Sequence, residues 1–170
     1  MSFWKMFKPS NDQDKKEYSQ LYYELKSQFP DFSDENLIKI TCIAGLFARV
    51  AYVDFDLDIK EKEHMKFALT NMTEFSNQEI DSIIEISLSH VKELAGLENH
   101  KYVYNLKEVI DKSERFQIVE ALFALAASDG VVENIESEEI RIIVKGFDLS
   151  DQHFIAARAK VSDKLKALRG

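Results

Sequence analysis

Between Leu37 and Val53, apolar residues recur on two helical faces at once. Leu37, Ile40, Ala44, Phe47 and Ala51 form one face; Ile43, Leu46, Val50 and Val53 form the other. A helix apolar on nearly all sides is stable only when neighbours surround it. From Phe116 to Ala126 the pattern returns, through Val119, Ala121, Leu122, Phe123 and Leu125. A chain of 170 residues with two such segments is constrained to pack its other helices around them. No stretch alternates with period two, so the predicted fold class is all-α.

The remaining segments supply that packing. Tyr18, Leu21, Tyr22, Leu25 and Phe29 recur at helical spacing until Pro30 stops them. Ser33 and Asp34 offer N-cap chemistry for the long apolar segment. A helix is expected from about Lys60 to Asn71. Ser76-Asn77-Gln78-Glu79 reads as a capping box opening another, which buries Ile80, Ile83, Ile84, Leu88 and Val91 and ends near Gly96. Tyr102, Leu106, Val109 and Ile110 mark a shorter helix, and Ser113 is the expected cap of the next. Ile140, Ile143, Val144 and Phe147 share a face of a helix closed by Gly146 and Asp148. Phe154, Arg158, Val161, Leu165 and Leu168 outline a terminal helix. Content of 45% hydrophobic residues with 5 Gly and 2 Pro suits such a bundle.

The chain repeats itself. Asp54-Phe55-Asp56-Leu57-Asp58-Ile59-Lys60-Glu61 has a near copy at Asp129-Gly130-Val131-Val132-Glu133-Asn134-Ile135-Glu136, a shift of 75. Both keep an acid at the first, fifth and eighth places and an aliphatic residue at the fourth. Phe75-Ser76-Asn77-Gln78 aligns with Leu149-Ser150-Asp151-Gln152 at a shift of 74. Each half is therefore a buried helix, an acidic turn, a helix and a capped helix. Two copies predict a single-domain bundle of about seven to eight helices with an internal pseudo-twofold repeat, rather than a solenoid. The expected organisation is a flexible tail over 1–14 and one helical domain over 15–170, with half-repeats at about 34–95 and 113–168. The tail carries an aromatic-basic patch of Phe3, Trp4, Lys5, Phe7 and Lys8.

The acidic turns are the candidate site. Carboxylates are hard oxygen donors of the kind Ca²⁺ and Mg²⁺ prefer, and a turn lets several converge where a helix alone does not. Asp54, Asp56, Asp58 and Glu61 in the first half, and Asp129, Glu133 and Glu136 in the second, are the candidate metal ligands. Acids in a first helical turn are also favoured by the helix dipole and by free backbone N–H groups, at roughly 0.3–1 kcal/mol each. That second reading makes them caps only. An EF-hand is excluded, because its sixth place holds Ile59 instead of Gly and its twelfth holds Met65 instead of Glu.

Other chemistries are poorly supplied. A net charge of −8 argues against nucleic acid as a partner. No apolar run reaches the ~20 residues of a membrane span, and no secretory signal is visible. The single Cys42 forms no internal disulfide and suits a reducing cytoplasm. His64, His90, His100 and His153 lack zinc-hydrolase spacing, and nothing in the sequence marks a pocket. Arg49 interrupts a buried run one turn before Asp54. It either pairs with the acids of that turn or extends its head to solvent.

Ala48-Arg49-Val50-Ala51-Tyr52-Val53-Asp54, Ala126-Ala127-Ser128-Asp129-Gly130-Val131-Val132-Glu133 and the ending Leu149-Ser150-Asp151-Gln152-His153-Phe154-Ile155-Ala156-Ala157-Arg158 resemble the TerB-like tellurite-resistance family over roughly residues 34–160. The resemblance implies an all-helical bundle with internal pseudo-symmetry and acidic clusters for a divalent metal. It also implies a place in bacterial stress-response systems, sometimes beside J-domain proteins at the inner membrane. Carried over residue by residue, it points to Asp54, Asp58 and Glu61, and to Asp129, Glu133 and Glu136. One departure stands out: the family's Gly after the first acid is present as Gly130 but replaced by Phe55 in the first half.

The expectation is a cytoplasmic, non-catalytic TerB-like module that binds a divalent metal, Ca²⁺ or similar, and acts through protein partners, membrane-associated ones included. The alternative is a metal-free interaction scaffold with capped helices. A metal-dependent hydrolase is the remote third.

Overall fold

Ser33 accepts a hydrogen bond from the Asn36 amide at 3.2 Å and opens the longest apolar helix, as its N-cap position requires. The computed structural model describes residues 12–53, 57–93 and 100–169. These residues form eight helices: α1 (Asp12–Gln28), α2 (Asp34–Ala51), α3 (Ile59–Met72), α4 (Asn77–Glu93), α5 (His100–Val109), α6 (Lys112–Ala126), α7 (Asn134–Gly146) and α8 (Asp151–Arg169). No strand occurs among the described residues. The patch at Phe3–Lys8 and the helix stop at Gly96 lie outside them.

Helix α2 is the hub. It packs against α1, α3, α4, α5, α6 and α7, and its Leu37, Ile40, Ile43, Leu46 and Phe47 are essentially inaccessible. Cys42 and Thr41 are buried with them, and the Thr41 hydroxyl donates to the Leu37 carbonyl at 2.6 Å. Helix α6 centres the second half, with Leu122 and Phe123 fully buried.

The repeat seen in the sequence is a repeat in space. Helix α2 packs on α3 and α4 as α6 packs on α7 and α8; α2 meets α7 as α6 meets α3. Equivalent residues even face each other. Lys39 and Glu114, 75 apart, form an ion pair of 2.8 Å where α2 and α6 begin. Two helices break the symmetry, since α1 lies on α2 and α4, and α5 lies on α2 and α7.

One helix boundary differs from the sequence expectation, and one agrees with it. The cap of α6 is Asp111, because Asp111 and Glu114 form a reciprocal capping box (2.8 and 2.9 Å) that Ser113, with Phe116 three places on, has no partner to make. The end of α7 is closed by Asp148 in the left-handed region (φ 55). The Leu149 amide reaches back to the Val144 carbonyl at 3.1 Å and the Asp148 amide to that of Lys145, a Schellman closure.

Candidate functional site

Each acidic turn begins where a buried helix ends, its last carbonyls accepting from the amides that follow. In the first half, the Tyr52 amide bonds to Ala48 (3.1 Å) and that of Val53 to Val50 (3.4 Å). In the second, Ala127 bonds to Phe123 (2.9 Å) and Ser128 to Leu125 (3.0 Å), the same pattern 75 residues on. Asp54, Phe55 and Asp56 lie outside the described residues. Their counterparts Asp129, Gly130 and Val131 form a turn in which Gly130 takes φ 100 and the Asp129 carboxylate accepts from the Val131 amide at 3.0 Å. A positive φ of this size costs Gly nothing and a side-chain-bearing residue a good deal.

The turns then close alike. Leu57 and Val132, the aliphatic fourth places, both pack against the core. Asp58 and Glu133 are the N-caps of α3 and α7, each extended (φ −79, ψ 150 and φ −73, ψ 157). The Asp58 amide donates to Glu61 Oε2 at 2.8 Å, and the Glu133 amide to Glu136 Oε2 at 2.8 Å. Asp58 Oδ1 also accepts from the Lys60 amide at 3.2 Å. Glu61 and Glu136 are buried at 9% and 5% exposure, whereas Asp58, Asp129 and Glu133 face solvent.

The structure thus joins Asp58 to Glu61 and Glu133 to Glu136. Among the described residues, no three of His, Cys, Asp and Glu gather closely enough to hold a metal ion. The donor chemistry suits a hard cation, since a carboxylate accepts at about four lone-pair positions and capping uses only some of them. Gathering Asp129 and Glu133 around one ion would require their exposed side chains to turn inward.

Arg49 reaches an acid that the sequence reading did not offer it. Its Nε donates to Glu139 of α7 at 2.6 Å, tying the end of the first central helix to the opposite half. Glu139 lies three residues after Glu136 and four before Ile143, so helical spacing alone places it on the buried face. The counterpart of this pair is Ala124 with His64. At that place the surface opens into a cleft of about 730 Å³ between α3, α6 and α8, with Asp129 and Gly130 at its edge. Its alanine lining, at Ala121, Ala124 and Ala127, gave the sequence no sign of a pocket.

The family model described as Tellurite resistance protein TerB matches residues 39–159. This chain belongs to the TerB family. Comparisons with curated proteins and with solved structures gave no match. The match spans both acidic turns, α6 and most of α2, so most of the duplicated unit falls within the TerB domain. No described helix is long and apolar enough to cross a membrane.

Proposed function

We propose that this TerB protein is a non-catalytic bacterial stress-response module of the cytoplasm. It holds a divalent cation, Ca²⁺ or similar, at its acidic turns and acts through a protein partner, membrane-associated or free. The observation that carries the reading is the duplicated turn, in which an exposed acid at the N-cap binds through its amide to a buried glutamate three places on, in both halves of a chain of net charge −8. Asp54, Asp56, Asp58 and Glu61 would serve one cation, and Asp129, Glu133 and Glu136 the other. When bound, the cation would offset the repulsion among these acids. It would also join the end of one helix to the start of the next, and a partner preferring that state would be coupled to metal by linkage.

A second reading has its own support. The bonds from the Asp58 and Glu133 amides to Glu61 and Glu136 are what helix capping alone requires, and a metal-free scaffold would keep them. A metal-dependent hydrolase would need an activity that disappears with the acids.

The deciding experiment is melting of EDTA-stripped protein during titration with Ca²⁺, Mg²⁺, Mn²⁺ and Zn²⁺, beside Asp54→Asn and Asp129→Asn. Asn keeps a side-chain acceptor for the Val131 amide while removing the charge, so the second substitution separates ligation from capping. A cation at 100 times its dissociation constant should add about 2.7 kcal/mol, and the substitution at its site should abolish the gain. No shift for any metal at millimolar concentration would leave the capping scaffold.

A further inference from the structure

We infer that the cleft between α3, α6 and α8 is a docking groove for an amphipathic helix with an acidic edge, presented by a partner protein. The inference deepens the partner-mediated reading above and does not depend on the cation. It comes from the broken symmetry of the bundle. Under the internal repeat, Glu120 of α6 corresponds to Gly45 of α2, and Lys160 and Lys164 of α8 correspond to Ile86 and His90 of α4. In the first half these places are covered by the chain's own helices. The Tyr102 ring of α5 lies over Gly45 so closely that a Cβ there would sit 2.7 Å from ring carbons. Ile86 and His90 are buried at 9% and 8% exposure, with the Glu24 carboxylate of α1 at 2.5 Å from His90 Nε2.

In the second half the same places form the open cleft. Both symmetry-breaking helices lie on α2, and among the described residues none plays their part over α6. The cleft has a floor of small alanines, Phe67 standing 70% exposed on one wall, and Lys160 and Lys164 exposed on the other. Lys160 is paired with Glu120 at 2.9 Å.

The covered half indicates what fits. There α5 lays the Tyr102 ring over the small Gly45, and α1 brings a carboxylate to a base. The open half offers an apolar floor, the Phe67 ring and the Lys164 ammonium, so the complement is a helix with an apolar face flanked by Asp or Glu. This is helix-in-groove recognition with charge selecting the edge. Asp129 and Gly130 also line the cleft, so an occupant would lie beside the second acidic turn.

The test uses two designed helical peptides with one apolar face, edged by Glu in one and by Lys in the other. Each is titrated into the ¹⁵N-labelled full chain, in EDTA and in millimolar Ca²⁺. Saturable shifts confined to the neighbourhood of Phe67, Ala124 and Lys164 are expected with the Glu-edged peptide. The Lys-edged peptide should bind about tenfold or more weakly, as like charges meet. Ala124→Arg, which restores the bulk of Arg49 at the equivalent place, should block binding. Lys164→Glu, an exposed change that does not depend on the other variant folding, should invert the preference for edge charge.

Binding that ignores both substitutions, or none at millimolar peptide in either buffer, overturns the groove. If Phe3, Trp4 and Phe7 must first be replaced by Ser before peptide binds, the chain's own start is the occupant and the partner proposal fails. Peptide binding in EDTA without any metal-dependent melting would retain the groove and sink the cation. Metal-dependent melting without peptide binding would do the reverse.

Discussion

Gly146 shows how one residue can be placed correctly in a sequence and still have its reason hidden. Its position near the end of a helical pattern reads as a stop signal. The closing turn is made by Asp148, which the sequence also offered, and Gly146 is small because α5 comes close. A Cβ built there would lie 2.6 Å from Val103 Cγ1. Val is branched at Cβ and stiff about χ1, so it has little freedom to withdraw. Gly146→Ala should therefore destabilise the protein by about 1–3 kcal/mol through overpacking, despite the better helix propensity of Ala. Urea unfolding measures this, and a midpoint at or above that of wild type would show that α5 does not rest on α7 as described. Arg49 is a similar case. Its charge was legible, but its partner lies 90 residues away, and only the packed bundle brings the two together.

Helices and their ends were mostly readable, since apolar periodicity and caps act locally. Ser76 and Glu79 make their reciprocal bonds at 3.3 and 2.7 Å, as Ser-x-x-Glu predicts. The equivalent start of α8 carries a variant, in which His153 Nδ1 accepts from the Ser150 amide at 3.1 Å. The acidic turns were legible as acids but not as an arrangement. Whether such residues cap helices or converge depends on side-chain rotation, which sequence spacing leaves open. In the described residues the caps are made. Asp58→Ala and Glu136→Ala should each cost about 0.5–2 kcal/mol in metal-free buffer, the usual range for a lost cap. Denaturant midpoints in EDTA would check it. A null effect for either would remove capping as the reason that acid is there.

Across the whole molecule, ion pairs fasten the covering helices and the two halves. Lys26 and Asp34 link α1 to α2, Lys107 on α5 holds Asp148 at the end of α7, and Lys39 joins Glu114 between halves. Each carboxylate titrates below its ordinary value. For Asp34 the cause is first the hydrogen bond from Lys26, then that from Tyr22. For Glu114 it is the bond from Lys39, followed by the Asp111 amide; for Asp148 it is the bond from Lys107. A lowered folded value means that the unfolded chain takes up the proton first. The contribution of each pair is therefore complete above the ordinary values, 3.8 for Asp and 4.5 for Glu. It is lost as pH falls through the lowered folded values. Melting temperature should fall on acidification through this window, and Glu114→Gln should make the fall shallower. An unchanged pH slope in Glu114→Gln would show that the pair between halves adds nothing.

The meeting of Lys39 with Glu114 also bears on how such a bundle can be built. A residue at a twofold axis faces its own counterpart. In a symmetric assembly of two identical halves, lysine would confront lysine at that place, or glutamate would confront glutamate. A complementary pair is available only when the two halves carry different sequences, as they do when both belong to one chain. The seam is thus attractive between unlike halves and repulsive between like ones, which fixes which half each half receives.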